Sequence, residues 1–391
     1  MVQYTIFALI DKPRFVHFEV LNDWVTKTVF GDDMSYTAPD FSTLGLESVP
    51  DCIFKPAPKV ATLPDGFTST TNFPTYVKIN GAWRLPINPR MDSHLVYDPN
   101  TDNLEIKEFR LIQKGDLVAV AQHEDGSDGV FVWTKGFQQE EVTEEEAFSF
   151  MSSDVSREKP VDYGAILQAF KDNRDGYIIW VIGPALVHAR GREAMEWLIR
   201  NGYAHCVLAG NAVAVHDIEA ALYGSTLGMK ADGTGAAAGH ACHMRAINEV
   251  KRAGSINNLV NAGMVKSGIM RALVQEDVPF VLAGSIRDDG PLPDTITDAL
   301  AAQAEMRKHT NKATMVVMVA TALHSIAVGN MLSTYNQADN GTIREITTIC
   351  VDQTEFVVSK LKDRGTHQAF GVVTNAQDFM RLIQLELASG N

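Results

Sequence analysis

The chain contains no run of lysines and arginines, and its 34 basic residues are outnumbered by 48 acidic ones, giving a formal charge of −14. Binding a polyanion requires a basic patch that releases counterions, so nucleic acid is not expected as a partner. Only four cysteines occur in 391 residues (Cys52, Cys206, Cys242 and Cys350), scattered and without CxxC spacing. A disulfide scaffold is thereby excluded, and reduced thiols in a cytoplasmic protein are expected. No apolar run approaches the roughly 20 residues that cross a bilayer, so no membrane partner is expected either. The opening MVQYTIFALIDKPRF lacks a basic region, a long apolar core and a small-residue cleavage site, and does not read as a secretion signal. What remains is ordinary for a globular chain, 45 % hydrophobic and 21 % charged, long enough for two or three domains.

Residues 1–140 read as β-rich. Strand-like runs such as Tyr76-Val77-Lys78-Ile79, His94-Leu95-Val96-Tyr97 and Leu117-Val118-Ala119-Val120 are separated by the turns Asn80-Gly81, Asp98-Pro99-Asn100 and Lys114-Gly115-Asp116. Asn80-Gly81 is the strongest hairpin signal in the chain. Most of the prolines lie in this part and disfavour long helices. An acidic stretch, Glu140 to Glu146, reads as a linker or a solvated helix start. From Phe148 onward the texture changes to strands alternating with helices, which predicts a mostly parallel sheet covered on both faces. Two domains are therefore expected, 1–140 and 141–391.

The later domain is organised around Met315 to Val373. Met315 to Ala320 is an unbroken, valine-rich apolar run, as expected of a strand buried on both faces. A turn, Thr321-Ala322-Leu323-His324-Ser325, opens a helical segment, and a second strand from Thr347 delivers Asp352 at its carboxyl end. Gly371-Val372-Val373 forms a third strand. Strand, tight turn, helix, and strand ending in an acid is the layout of a dinucleotide half-site. There the amides at the turn meet a pyrophosphate, and the acid accepts the ribose hydroxyls. The turn lacks the GxGxxG fingerprint, and Asp352 would equally serve as a helix cap.

Two short echoes run through this half. IGPALVHA (Ile182 to Ala189) and VATALHSI (Val319 to Ile326) each place Ala-Leu and a His after a strand, and CVLAGN pairs with FVLAGS. The four loops belong outside the carboxyl ends of parallel strands, where ligands of open sheets bind. Three groups in or beside them carry chemistry. Asn211 offers an amide donor and acceptor or a helix cap, and His216-Asp217 follows it as a catalytic or structural pair. His240-Ala241-Cys242-His243 borders a glycine-rich loop. Further metal ligands at readable spacing are missing, so no metal is expected; an acid/base His240 on a lid and a plain structural loop are the readings left. Arg287-Asp288-Asp289-Gly290-Pro291 suits an amino-acid zwitterion, Arg for the carboxylate and Asp for the ammonium, or is a surface turn.

MSSDVSREKP, VLAGNAVAVHDIEAALYG, MRAIN, VPFVLAGSIRDDGPLPD, ATALHSIAVGN and ICVD together resemble the lysine-oxoglutarate reductase/saccharopine dehydrogenase conserved-region family. Within it the chain is similar to archaeal ornithine cyclodeaminases and to the cyclodeaminase half of cyanobacterial bifunctional arginine dihydrolases. The resemblance begins near Phe67 and includes STTNFPTYVKINGAW and Arg90-Met91-Asp92. It implies a Rossmann-like α/β domain behind an N-terminal β-rich one, and NAD-dependent conversion of L-ornithine into L-proline. The implied cofactor contacts are Asn211, Ala212, Asp289, Thr321, Ala322, Leu323, His324, Asp352, Val372 and Val373, while Asp289, His240 and Arg287, from the loops read above, are the candidates for the chemistry. The expected partner is an amino-acid substrate, and the expected state a homo-oligomer. The chain departs from the family in the extra residues STYNQADNGTIRE and in a loop before MRAIN that is poorer in histidine.

Overall fold

The computed structural model describes residues 36–137 and 161–389, apart from Ala189, 231–232, 237–238, Asp289, 338–340 and 363–368, and without the side chains of His240, Phe356 and 360–362. The acidic stretch and MSSDVSREKP lie outside the described residues.

Asn80 and Gly81 both take left-handed backbone (φ 53° and 79°), which a two-residue type I′ turn demands and which asparagine and glycine tolerate best. They join β2 (Thr75–Ile79) to β3 (Ala82–Arg84), with Ile79 opposite Ala82, and β7 (Val130–Val132) completes an antiparallel sheet of three strands. A second antiparallel sheet runs in the order β1 (Ile53–Pro56), β6 (Leu117–Val120), β4 (His94–Asp98), β5 (Asn103–Lys107). Leu95, Ile106, Ala119, Val77 and Val130 fill the core between the two. Three arginines converge on Glu108 at the edge of this region. Arg90 pairs with Oε1, Arg110 Nε lies 2.7 Å from Oε2, and Arg307 Nη1 lies 2.9 Å from Oε1.

The remainder is a seven-stranded, wholly parallel sheet. Its strands in chain order are β8 (Ile178–Ile182), β9 (Cys206–Gly210), β12 (Phe280–Ala283), β13 (Thr295–Ile296), β14 (Met315–Val319), β17 (Thr347–Asp352) and β18 (Ala369–Val373). Short hairpins β10–β11 (Ser225–Thr226, Met229–Lys230) and β15–β16 (Tyr335–Gln337, Ile343–Glu345) branch from it, the second built from the extra residues noted above. In space the strands run β13-β12-β9-β8-β14-β17-β18. Leaving the short edge strand aside, this is the doubly wound order 3-2-1-4-5-6, whose direction of winding reverses between β8 and β14.

Apolar strands buried on both faces need helices on both sides, and the side chains alternate accordingly. Ile178, Trp180 and Ile182 pack with α1 (Tyr163–Asp172), α3 (Arg192–Arg200), α4 (Asn211–Tyr223) and α11 (Ala376–Ser389). The same side holds α2 (Pro184–His188), α5 (Gly239–Ala253), α6 (Ile256–Asn261) and α7 (Ile269–Gln275). Ile179 and Val181 face α8 (Ala299–Thr310), α9 (Ala322–Met331) and α10 (Glu355–Lys362). All five β8 side chains are fully buried, and each contributes roughly 2 kcal/mol relative to exposure. The Trp180 indole N–H donates to Tyr203 O (2.8 Å), so its burial strands no donor. Among the described residues no helix is long and apolar enough to cross a membrane.

Candidate active site

Register pairing lines up the carboxyl ends of the strands. Ala283 lies opposite Gly210, Ala209 opposite Ile182, Ile182 opposite Val319, Val319 opposite Val351, and Asp352 opposite Val373. The two sequence echoes thus fall on neighbouring strands, β8 with β14 across the reversal and β9 with β12 on one side of it.

At the reversal the backbones nearly touch. A Cβ on Gly183 would come within 1.9 Å of Ala320 O, so only glycine fits. Ala320 itself takes φ 58°, a left-handed conformation that costs an L-residue about 1 kcal/mol. It turns the chain directly into Thr321 and α9, so the expected loop is shorter than its sequence suggested, and helix begins at Ala322. No side chain caps α9 at Thr321 or α4 at Gly210. Both first turns therefore present bare amides at the sheet's carboxyl edge, which is what an anionic group requires. The His324 ring crosses from α9 toward β9, since a Cβ on Gly210 would sit 2.7 Å from its Cε1. Burial holds this imidazole below its ordinary pKa, and the nearby Asp288 carboxylate opposes that shift. The His324 ring thus lies against the end of β9, within electrostatic reach of Asp288 in the loop after β12.

Asp352 fulfils one of its two readings visibly. Its Oδ1 accepts from Thr354 N and Oγ1 (3.1 Å each), as a capping carboxylate does, while Oδ2 has no partner among the described residues. One oxygen thus braces the turn and leaves the other for a ligand hydroxyl. Val373 is half exposed beside it, whereas the Val372 side chain lies in the core, leaving only its backbone for a ligand. Leu323 and Ile286 are exposed apolar side chains on the same edge, suited to the face of a ring. Asn211 is buried with its Oδ1 accepting from Leu292 N (3.0 Å) and Thr295 Oγ1 (2.9 Å). Its side chain therefore fastens the loop after β12, and Ala212 follows it half-buried in the first turn of α4. Asp288 Oδ2 accepts from Ser285 N (2.8 Å), and Arg287 is exposed. Asp289 lies outside the described residues, and of His240 only the backbone, in the first turn of α5, is described.

Interior to this edge, the pair His216-Asp217 splits into two roles. Asp217, fully buried, faces Arg192 Nε (2.5 Å) and accepts from the amides of Ile269 (3.0 Å) and Met270 (2.8 Å), capping α7. His216 turns instead to Glu219, one turn along the helix, with Nδ1 3.1 Å from Oε2. Burial alone would raise the Glu219 carboxyl, but the His216 imidazole and the amides of Gly228 and Leu227 more than offset it and hold it low. His188 and His243 flank His216, with ring centroids 4.6 Å and 4.9 Å away. Burial, aided by His216, pushes His188 down to about 4. Sequence reasoning missed Glu219. The available signal was its i, i+3 spacing from His216 on a helix with almost no polar face.

Residues 164–383 match the sequence model described as the arginine dihydrolase ArgZ-like C-terminal region, Rossmann fold, and residues 74–164 match its C-terminal first region. The chain belongs to the ArgZ-like C-terminal family. One member, an ornithine cyclodeaminase of Methanococcus maripaludis, is 42 % identical over 343 residues, 85 % of this chain and 78 % of that protein. The bifunctional arginine dihydrolase/ornithine cyclodeaminase AgrE of Nostoc is 38 % identical over 86 % of this chain and 47 % of its own length. Among solved structures of the family, a conserved LOR/SDH protein from Methanococcus maripaludis superposes with a TM-score of 0.77 at 40 % identity, covering 87 % of this chain and 99 % of that one. A ternary complex of AgrE with ornithine and NAD+ gives a TM-score of 0.52 at 35 % identity, covering 88 % of this chain and 47 % of that one. The residues at the strand ends fit a dinucleotide. Two uncapped helix N-termini, a close-approach glycine at the reversal and a strand-end carboxylate with a spare oxygen supply its usual contacts.

Proposed function

We propose that the chain is an NAD-dependent ornithine cyclodeaminase that converts L-ornithine into L-proline and ammonia. The observation that carries this reading is the in-register row of strand ends around the β8–β14 reversal, with Asp352 at its fifth strand, in a chain 42 % identical to an archaeal ornithine cyclodeaminase. When bound, NAD supplies an acceptor for the substrate's α-hydrogen as hydride and returns it later, so the overall reaction has no redox change.

In this reading the amides of Thr321, Ala322, Leu323 and His324 hold the pyrophosphate. Asp352 accepts the adenosine ribose hydroxyls, bordered by Val373 and the backbone of Val372. Asn211, Ala212 and Asp289 border the nicotinamide. Arg287 grips the substrate carboxylate, which the guanidinium's paired donors match. The δ-amine attacks the α-carbon, the ring closes, and the α-amine leaves as ammonia. Both amines must lose protons to do this, and Asp289 and His240 are the groups assigned to move them. A neutral His324 beside Asp288 adds no cation to a site that must accept an ammonium substrate.

Incubation with L-ornithine and NAD+ tests the reading. Proline and ammonia should appear in equal amounts without accumulation of NADH. Stoichiometric NADH without proline would make the chain an amino-acid oxidoreductase, and tight NAD binding without turnover would make it a binding module.

A further inference from the structure

Four side chains from three separated stretches meet beside, but outside, the strand-end row: His188 at the end of α2, His216 and Glu219 on α4, and His243 on α5. His216 and Glu219 are buried and His188 and His243 half-buried, where a polar group is costly unless it has a partner. One ligand atom each of His216, Glu219 and His243 lie within 4.8 Å of one another. Glu219 is fully exhausted of solvent contact and is fixed by Ser225 Oγ (3.2 Å) and the amides of Leu227 and Gly228 (3.3 Å each). His216 Nδ1 already lies 3.1 Å from Glu219 Oε2, close to the spacing of two ligand atoms on one ion. His188 is half-buried, its Nδ1 is shut off from solvent without a hydrogen-bond partner, and its ring packs on His216.

We propose that His216, His243 and Glu219 form a binding site for a divalent ion of the zinc and cobalt kind, with His188 as the neighbouring imidazole able to join them. Two imidazoles and a carboxylate are the donor set such ions prefer over magnesium or calcium, which take oxygen alone. Ligand atoms around a tetrahedral zinc stand about 3.3 Å apart, as bonds of 2.0–2.1 Å require, so the group closes by roughly an ångström on loading. A cavity of about 600 Å³ ends at His188 and Ser225, the neighbours of His216 and Glu219, and is lined also by Arg190, Glu193 and Lys230. The sequence alone gave no reason to expect a metal, because His243 stands 27 positions beyond His216 and only the fold unites them.

The test is metal binding itself, on the full chain stripped with a chelator and dialysed. One equivalent of Zn2+ should bind at micromolar concentration, and Co2+ should replace it with the visible absorption of a four- or five-coordinate ion. His216→Gln and His243→Gln should each weaken binding by more than about 100-fold, and Ser225→Ala, which loosens Glu219 only, by about tenfold. Should either histidine variant fail to fold, X-ray absorption of the cobalt-loaded wild type decides. A nitrogen and oxygen shell carrying imidazole scattering supports the site, and a shell of water alone overturns it. Absence of binding at micromolar metal, or wild-type affinity and spectrum in both histidine variants, likewise overturns it.

Discussion

Asp217→Asn is the perturbation that best separates architecture from chemistry near the site. The wild-type carboxylate is fully buried and serves three donors: the Arg192 guanidinium and the amides of Ile269 and Met270 at the start of α7. Asparagine keeps the shape but removes the charge, and its NH2 must face one of those donors. Breaking one partner of a buried ion pair costs about 3–5 kcal/mol, since the remaining cation stays desolvated. In a domain of this size that lowers the melting temperature by on the order of 10 °C. The loss should be local as well, with the amide protons of Ile269 and Met270 exchanging faster while those of β8 keep their protection. Arg192→Met should cost less, because Asp217 retains both amides, and the double variant should cost less than the sum. Thermal melts by circular dichroism with hydrogen exchange provide the readout. An Asp217→Asn protein that melts within about 1 °C of wild type but turns over no ornithine would refute the reasoning and return Asp217 to the chemistry.

Asp352→Ala should weaken NAD binding by roughly 10- to 100-fold, the worth of charge-assisted hydrogen bonds, and wild type should prefer NAD over NADP; equal calorimetric affinities for the two would remove Asp352 from the ribose. Ala322→Pro should impair NAD binding more than His324→Ala. Proline fits the first helical position and deletes only a bare amide, so the opposite order would make the His324 side chain the ligand. Asp289→Asn should lower proline formation by on the order of 10²–10⁴, with NAD affinity measured alongside; near-normal turnover there and inactivity in Asp288→Asn would transfer the role to Asp288. Burial pushes Glu108 up, yet Arg110, Arg90 and Arg307 outweigh it and hold its carboxyl below the usual value. Its contribution to stability is therefore complete above the ordinary glutamate pKa and is lost as pH falls through the lowered one. Acid melts of Glu108→Gln should show a shallower loss than wild type over that window, and parallel curves would sink the assignment.

The legible parts of this molecule were those set by neighbours in sequence. The MVVMV run, the strand ending in Asp352 and the Asn80-Gly81 hairpin each follow from local periodicity or turn chemistry, and all three stand in the structure. Strand order was not legible, since nothing in IIWVI says that it pairs with both Cys206–Gly210 and Met315–Val319. Ala320 concealed the tight turn, because glycine is the residue that usually marks a positive φ and alanine does not. Asn211 reads as a ligand or a cap and Asp217 as half of a catalytic or structural pair, but that their oxygens fasten other loops was not legible, since a side chain's partner across dozens of residues leaves no local trace.

The place of β8 at the winding reversal also has a consequence for biosynthesis. On one side it pairs with β9 soon after synthesis, but its other side waits for β14, and Tyr177 and Thr314 meet across 137 positions. Until then the emerging chain carries an open, wholly apolar strand edge, the form of surface that templates wrong pairings. At ribosomal speeds of about 5–20 residues per second, that interval lasts on the order of ten seconds. A nascent chain stalled before Met315 should therefore be a strong client for chaperones that shield strand edges, and release past Val319 should end that dependence.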